Sequence, residues 1–197
     1  TQPAVFTTSV ACLRAAQHLG VLPGAGLACV AGHSLGEYTA LVCAGALDFA
    51  DAVKLVRLRA EAMQSAVPEG VGAMAAVLGL DDDGVRAACA EAAQGEMLEA
   101  VNFNSPGQVV IAGNKAAVER GMVLAKEKGA KRALPLPVSV PSHCALMKPA
   151  AERLRLALAA IEVRVPSVPV LHNADVAAHG SADAIRDALA RQLFSPV

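Results

Sequence analysis

The pattern of apolar and polar positions predicts a mixed α/β protein. Helical spacing covers residues 5–19, and a short, continuous apolar run follows at residues 27–31. Such a run is typical of a strand that is buried on both faces of a parallel sheet. It ends at Gly32, and helical spacing resumes over residues 35–46. The pattern therefore predicts a strand, a tight turn and a helix in direct succession.

The middle of the chain has a different order of elements. After a helix that begins at the N-cap Asp48, strands and helices are predicted in the order β-α-β-β-α-β, at residues 73–80, 81–94, 99–103, 109–111, 116–128 and 132–138. This order is the ferredoxin-like arrangement. We therefore expect a small subdomain at 70–139, inserted into a larger α/β domain formed by 1–69 and 140–197. The larger domain resumes with a helix, a short strand and a last helix, at residues 145–160, 168–171 and 182–193.

The composition narrows the possible environment and partners. Hydrophobic residues make up 54% of the chain, and the net charge of −1 gives no footprint for nucleic acid or an anionic membrane. The 5 cysteines form no C-x-x-C pair, no apolar run reaches the roughly 18 residues of a membrane span, and no signal peptide is visible. We expect a cytoplasmic protein. Because the chain starts without methionine and stops just after a helical pattern, we expect it to be a piece of a longer protein.

The turn after the first predicted strand has the pattern of a nucleophile elbow. In Gly32-His33-Ser34-Leu35-Gly36, the serine sits on a sharp turn that exposes its hydroxyl group. The following helix directs N–H groups and its positive dipole end at the site, so the backbone N–H of Leu35 is placed to donate to an oxyanion. Glycine and serine at this spacing are also common in tight turns, but the flanking strand and helix favour the catalytic interpretation.

A serine nucleophile needs a base, and the chain offers 5 histidines. His18 is expected on the surface, and His179 lies in a polar loop. His33 adjoins the serine, but neighbouring side chains on an elbow point apart. His172 follows a strand and is placed to face a cleft. His143 lies in a loop between a strand and a helix, the usual place for a functional residue, and leads His172 only modestly.

A charged residue occupies an apolar helix face. Leu55, Arg59 and Met63 recur at i, i+4 and i+8, so Arg59 lies on the inward stripe. A buried guanidinium needs an anionic partner, since an unpaired buried charge is costly. Arg59 therefore either forms a structural ion pair, or extends its charged end towards the surface, or binds the carboxylate of a substrate through two parallel hydrogen bonds. The last possibility would make the enzyme select acyl groups with a free carboxylate.

Three longer segments carry a family resemblance. Residues 32–38 (Gly-His-Ser-Leu-Gly-Glu-Tyr), 102–113 and 137–147 (with Pro-Ser-His-Cys at 141–144) occur in the order and form of the bacterial malonyl-CoA:acyl carrier protein transacylases. The similarity extends along essentially the whole chain. The acyltransferase domains of polyketide synthases share the serine and histidine segments but match the rest less closely.

The resemblance implies a role for each matching residue. Ser34 would be the nucleophile that carries the malonyl ester, and His143 would act as its base and later as the acid. Arg59 would bind the malonyl carboxylate, and Leu35 would supply one oxyanion N–H.

The resemblance also implies the reaction. His33, which would pack beside or orient the serine, and Asn104, which also suits a turn, are candidate lining residues of the site. Malonyl-CoA would be the substrate, with no permanently bound cofactor and no metal. Acyl carrier protein would be the partner, and the parent protein would be a monomer that binds neither nucleic acid nor membrane.

The resemblance further implies an α/β-hydrolase-like core with a ferredoxin-like insertion, and the chain departs from it in several places. Members of the family carry an upstream Gly-Gln-Gly loop, and Gln2 of this chain does not match the glutamine of that loop. They also carry a segment, after the position of Val197, whose backbone orients the catalytic histidine. His172 stands where we expect relatives to carry asparagine. Without the upstream loop, we expect weak or no turnover from the 197 residues alone.

Two other functions remain open. A serine thioesterase or hydrolase shares the elbow, but it places an acid between serine and histidine in chain order. Asp81, Asp82 and Asp83 fall in that interval, but they are predicted to begin a helix of the inserted subdomain. A non-catalytic module that binds CoA or the carrier protein would keep the fold without the chemistry.

Overall fold

The structure, a computed structural model, describes residues 1–21, 26–138 and 140–197. The helices in these ranges are α1 (Gln2–His18), α2 (Gly36–Cys43), α3 (Phe49–Ser65), α4 (Asp82–Ala93), α5 (Lys115–Glu127), α6 (Lys148–Ala159) and α7 (Ala182–Gln192), with a 3₁₀ turn at Ala145–Met147. The strands are β1 (Val30–Ala31), β2 (Gly72–Leu78), β3 (Leu98–Ser105), β4 (Gln108–Asn114), β5 (Arg132–Pro135) and β6 (Val170–Leu171). The chain is therefore a mixed α/β protein with one parallel and one antiparallel sheet, as the hydrophobic pattern predicted.

The chain divides into two compact units. Unit 1 comprises Thr1–Glu61 and Glu152–Arg191, and unit 2 comprises Ala62–Ala151 and Gln192–Val197. The predicted division at 69/70 and 139/140 stays a prediction, and its boundary residue Ser139 lies outside the described residues.

Unit 1 contains a short parallel sheet. β1 pairs with β6 through Val30 opposite Val170 and Ala31 opposite Leu171. Both strands are shorter than the apolar runs that predicted them, because pairing extends over only these two positions. The helix predicted for 35–46 also ends early, because α2 ends at Cys43 and the chain turns at Gly45. That glycine adopts a φ of +71°, and the N–H of Ala46 then bonds back to the carbonyl of Leu41.

Unit 2 is built on a four-stranded antiparallel sheet with the order β3-β4-β2-β5. The elements follow one another as β2-α4-β3-β4-α5-β5, the order that the periodicity predicted. One sheet face packs against α4 and α5, and the opposite face packs around Cys144. β5, with Pro135 as its last residue, is an edge strand, where a missing backbone N–H is tolerated.

Two aspartates cap helices as predicted. The carboxylate of Asp48 accepts a hydrogen bond from the N–H of Ala50 (2.8 Å) at the start of α3. Asp81 accepts one from the N–H of Gly84 (2.7 Å) at the start of α4. Each bond satisfies an N–H group that the helix itself leaves without a partner.

All five cysteines are free thiols. Over the described ranges, no helix is both long and apolar enough to cross a membrane.

Candidate active site

Ser34 occupies a strained turn between β1 and α2. Its φ is +51°, a left-handed value that L residues other than asparagine and aspartate rarely adopt. Gly32 makes this turn possible, since a Cβ there would lie 2.0 Å from the backbone carbon of Gly36. Gly36 differs, because a Cβ added to it would meet nothing within 4 Å. The first glycine is thus required by the close approach of backbone, and the second leaves open space beside the serine.

A network of side chains holds this turn. The Oδ1 atom of Asn173 accepts a hydrogen bond from the N–H of Ser34 (2.7 Å), and its Nδ2 donates to the carbonyl of Gly32 (2.9 Å). Glu37, in the first turn of α2, accepts from the N–H of Asn173 (2.9 Å) and pairs with Nδ1 of His172 (2.7 Å). The expectation that His172 faces a cleft is therefore wrong, because its ring is buried against the Glu37 carboxylate.

Arg59 lies on the inward face of α3, as its spacing predicted. Its side chain is only 2% exposed, and its Nη2 donates to Oγ of Ser34 at 3.0 Å. Nη1 donates to Oε1 of Gln2 at 2.7 Å. The guanidinium carbon lies 5.6 Å from the centre of the Tyr38 ring. The structure thus brings together the predicted nucleophile and the predicted carboxylate-binding cation within one unit.

The environment of Arg59 is partly apolar and partly anionic. Burial lowers the pKa of the guanidinium, while Tyr38 and Glu37 nearby act in the opposite direction. Burial also raises the pKa of the Tyr38 hydroxyl above its usual range, so this phenol stays neutral. Because a guanidinium stays protonated in proteins at any ordinary pH, the group keeps its positive charge beside Ser34.

His143 lies in unit 2, buried and with a φ of +65°. Its Nδ1 is 2.8 Å from the carbonyl oxygen of Gln192, and its N–H donates to the carbonyl of Leu193 (3.0 Å). The resemblance places the segment that orients this histidine beyond Val197. That expectation is wrong for the Nδ1 atom, whose partner lies within the chain. The end of α7 already supplies a carbonyl, which fixes the tautomer with a proton on Nδ1 and the lone pair on Nε2.

The remaining predicted residues lie as follows. Leu35 is the N-cap of α2, directly after Ser34. His33 is exposed, and Asn104 is an exposed residue of β3 in unit 2. His18 is on the surface, and the half-buried His179 bonds to Asp175 (3.0 Å). Within the described part of the chain, no group of three His, Cys, Asp or Glu side chains could hold a metal ion.

Four residues around the two predicted catalytic side chains were not found from the sequence: Gln2, Glu37, Asn173 and Gln192. A signal existed for Asn173. Parallel neighbours end at the same edge of a sheet, and Asn173 follows β6 after one intervening residue, while Ser34 follows β1 after two. Glu37 falls within the recognised motif but has the pattern of an ordinary helix start. The carbonyl of Gln192 leaves no signal in a sequence at all.

A serine hydroxyl beside a buried guanidinium is suited to binding an acyl group. Comparison with known proteins identifies the class of protein to which the chain belongs. The acyl transferase domain family matches residues 1–196, and the chain belongs to that family.

The names of individual relatives are more specific than the name of the family. The chain is 62% identical over 197 residues to the malonyl CoA-acyl carrier protein transacylase of Escherichia coli (strain K12), covering 100% of the chain and 63% of that protein. A crystal structure of an acyl carrier protein S-malonyltransferase from Vibrio cholerae matches with a TM-score of 0.95 and 62% identity, over 100% of the chain and 63% of that structure.

Another solved relative is a type II polyketide synthase acyl-carrier protein in complex with its malonyl-transacylase. It matches with a TM-score of 0.95 and 58% identity, over 100% of the chain and 63% of that structure. The chain therefore spans a little under two thirds of the length of these relatives.

Proposed function

We propose that the protein containing this chain transfers a malonyl group from malonyl-CoA to the phosphopantetheine thiol of acyl carrier protein, in fatty acid biosynthesis. The observation that carries the proposal is the 3.0 Å contact between Nη2 of Arg59 and Oγ of Ser34. In a malonyl ester of Ser34, only a carbonyl and a methylene group separate the ester oxygen from the free carboxylate. A guanidinium at this distance is within reach of that carboxylate and can bind it through two parallel hydrogen bonds.

The reaction proceeds in two half-reactions through the same ester. Oγ of Ser34 attacks the thioester carbonyl and gives its proton to Nε2 of His143, and the C–S bond breaks as CoA leaves with that proton. The thiol of the carrier protein then attacks the malonyl ester and gives its proton to His143. The C–O bond to Ser34 breaks, and His143 returns that proton to Oγ of Ser34. The burial of His143 and the bond from its Nδ1 to Gln192 support its role as base and acid.

The oxyanion and the lining of the site are further parts of the proposal. The backbone N–H of Leu35, at the N-cap of α2, would donate to the oxyanion of the tetrahedral intermediate. His33 and Asn104 would line the path of the substrate, and their exposure agrees with this role.

We further propose the finer description of the fold. Residues 1–69 and 140–197 would belong to an α/β-hydrolase-like core, and residues 70–139 to a ferredoxin-like subdomain. The parallel pairing of β1 and β6 and the sheet order β3-β4-β2-β5 support these assignments. The protein would act as a cytoplasmic monomer, with malonyl-CoA as substrate and no permanently bound cofactor.

The contacts of His143 favour transfer over a serine hydrolase with an acidic triad member. The Nδ1 partner is a backbone carbonyl, and Asp81, a candidate for the acid, caps α4. In hydrolases of the Ser-His-Asp type, a carboxylate holds the histidine instead.

The intact mass of the protein that contains this chain, measured after incubation with malonyl-CoA, tests the proposal, with acetyl-CoA and a Ser34→Ala variant in parallel. We expect a malonyl increment that Ser34→Ala abolishes and that acetyl-CoA gives only weakly. A malonyl-CoA transacylase relative serves as the positive control. Loss of the increment on addition of carrier protein, with malonyl-carrier formed, identifies a transferase. Equally fast release of free malonate without carrier identifies a hydrolase, and carrier binding without any increment identifies a binding module.

A further inference from the structure

Asn173 bonds to both sides of the turn that carries Ser34, although it lies 139 residues further along the chain. Its carboxamide oxygen accepts from the N–H of Ser34 and its amide nitrogen donates to the carbonyl of Gly32. The two backbone groups belong to residues i and i+2 of the same turn. One planar side chain therefore fixes the spacing and the direction of the backbone on either side of His33.

Asn173 is itself fixed by a buried hydrogen-bond network. Its backbone N–H donates to Oε2 of Glu37, and the other oxygen of that carboxylate pairs with Nδ1 of His172. The side chains of Glu37 and His172 are both completely buried. A buried carboxylate with bonds on both oxygens cannot turn away without losing them, so Asn173 has little freedom to move.

From this geometry we propose that Asn173 is a positioning residue for the nucleophile, with Glu37 and His172 holding it in place. Its two bonds stabilise the left-handed conformation of Ser34, which by itself is unfavourable. That conformation directs Oγ toward Arg59 and toward an incoming thioester carbonyl. The proposal rests on the proposed function of Ser34, because a positioning residue has meaning only if the serine reacts.

The substitution Asn173→Asp separates a positioning role from a purely structural one. An ionised aspartate still accepts from the N–H of Ser34, but it cannot donate to the carbonyl of Gly32, and a protonated aspartate can do both. The titratable groups that face this position are the Glu37 carboxylate and the ring of His172. The Arg59 guanidinium lies beyond Ser34. The nearest of them, Glu37, carries like charge and favours the protonated form of the aspartate.

The measured quantity is the rate of Ser34 acylation in Asn173→Asp at saturating malonyl-CoA, divided by the rate of the unmodified protein at the same pH. We expect this ratio to follow the titration of the aspartate. At pH 8 the ratio should fall on the order of 10²-fold, since small misplacements of reacting groups cost this much. It should rise toward one as the pH is lowered to about 5, while the half-saturating concentration stays unchanged. Asn114→Asp is the matched control, because Asn114 Oδ1 also accepts a backbone N–H, that of Met97 (2.8 Å), in unit 2. Its ratio should stay flat.

Hydrogen exchange of single amides tests the same contact without any turnover. The Ser34 amide should exchange at least roughly 10-fold faster in Asn173→Ala, which loses the acceptor of its hydrogen bond, and should stay protected in Asn173→Asp, which keeps that acceptor. In Asn114→Ala, only the Met97 amide should change. If the protein that contains the unmodified chain is not acylated, the proposed function fails and the exchange result alone decides the positioning role. An unchanged Ser34 amide in Asn173→Ala, or an acylation ratio independent of pH and matched by Asn114→Asp, overturns the proposal.

Discussion

Arg59 donates a hydrogen bond to the hydroxyl of Ser34 across 3.0 Å, joining the middle of α3 to the turn after β1. The contact places a group able to bind an acyl carboxylate next to the atom that would carry the acyl ester. Selection of the acyl group and its attachment to the protein would therefore occur at one point.

Replacing Arg59 should change the choice of acyl group. We expect Arg59→Ala and Arg59→Lys to slow malonylation of Ser34 by roughly 10- to 100-fold, the worth of hydrogen bonds to a charged group. Acetylation should change much less, because an acetyl group has no carboxylate to bind. Time-resolved intact mass with the two thioesters measures both rates. Arg57→Ala, on the exposed face of the same helix, is the control. Equal slowing of malonyl and acetyl transfer would show that Arg59 is structural.

Removing the imidazole of His143 should remove the base. We expect His143→Ala to slow acylation by about 10²- to 10⁴-fold, the usual contribution of a general base. The circular dichroism spectrum should be unchanged. His18→Ala, which alters an exposed histidine at the end of α1, should acylate normally. Acylation of His143→Ala at the normal rate would assign the base to another group.

The two glycines of the elbow should respond differently to the same substitution. In Gly32→Ala, the new Cβ would collide with the backbone of Gly36, so we expect a loss of at least about 3 kcal/mol in the free energy of unfolding. Gly36→Ala adds a methyl group to open space at the start of α2, and the change should stay within about 1 kcal/mol. Urea unfolding of the two variants compares them directly, and similar stabilities would contradict the described turn.

Arg191 should make the stability of unit 1 depend on pH in the acid range. Its hydrogen bond lowers the pKa of Asp187. Partial burial acts to raise the pKa of Asp175, but bonds from Arg191 and His179 outweigh it and leave that pKa lowered too. Carboxylates with depressed folded pKa values stabilise the fold above their ordinary pKa, near 3.8, and lose this contribution as the pH falls through the folded value.

Arg191→Met should therefore be less stable than the unmodified chain at pH 7, and the difference should narrow as the pH falls below about 3.8. Urea unfolding at a series of pH values measures it. Arg14→Met is the control, since Arg14 bonds to the neutral side chain of Gln17. A stability difference that does not change with pH would show that Arg191 acts by packing alone.

Local patterns predicted much of this structure because their causes are local. The N-cap at Asp48, the inward position of Arg59 and the strand–turn–helix order around Ser34 each depend on residues within a few positions of one another. Helix periodicity and capping act over this range, so the sequence alone shows them.

The contacts that fix the site could not be predicted in the same way, because they join residues far apart in the chain. Asn173 meets Ser34 only because β1 and β6 are parallel neighbours, and the pairing of two-residue strands leaves little periodic signal. His172 was placed in a cleft because a histidine after a strand often lies there, and its burial depends on the distant Glu37. The orientation of His143 depends on a backbone carbonyl, which every residue possesses.

Because the backbone of Ser34 is left-handed, the residue best for activity at position 34 is not the residue best for stability. Glycine adopts such a φ without the steric cost that a Cβ imposes, and asparagine tolerates it better than serine does. A laboratory population evolved only for survival under heat or denaturant would therefore be drawn toward glycine or asparagine at position 34. The lineages that gained most in robustness at this position would be those that had given up the hydroxyl group.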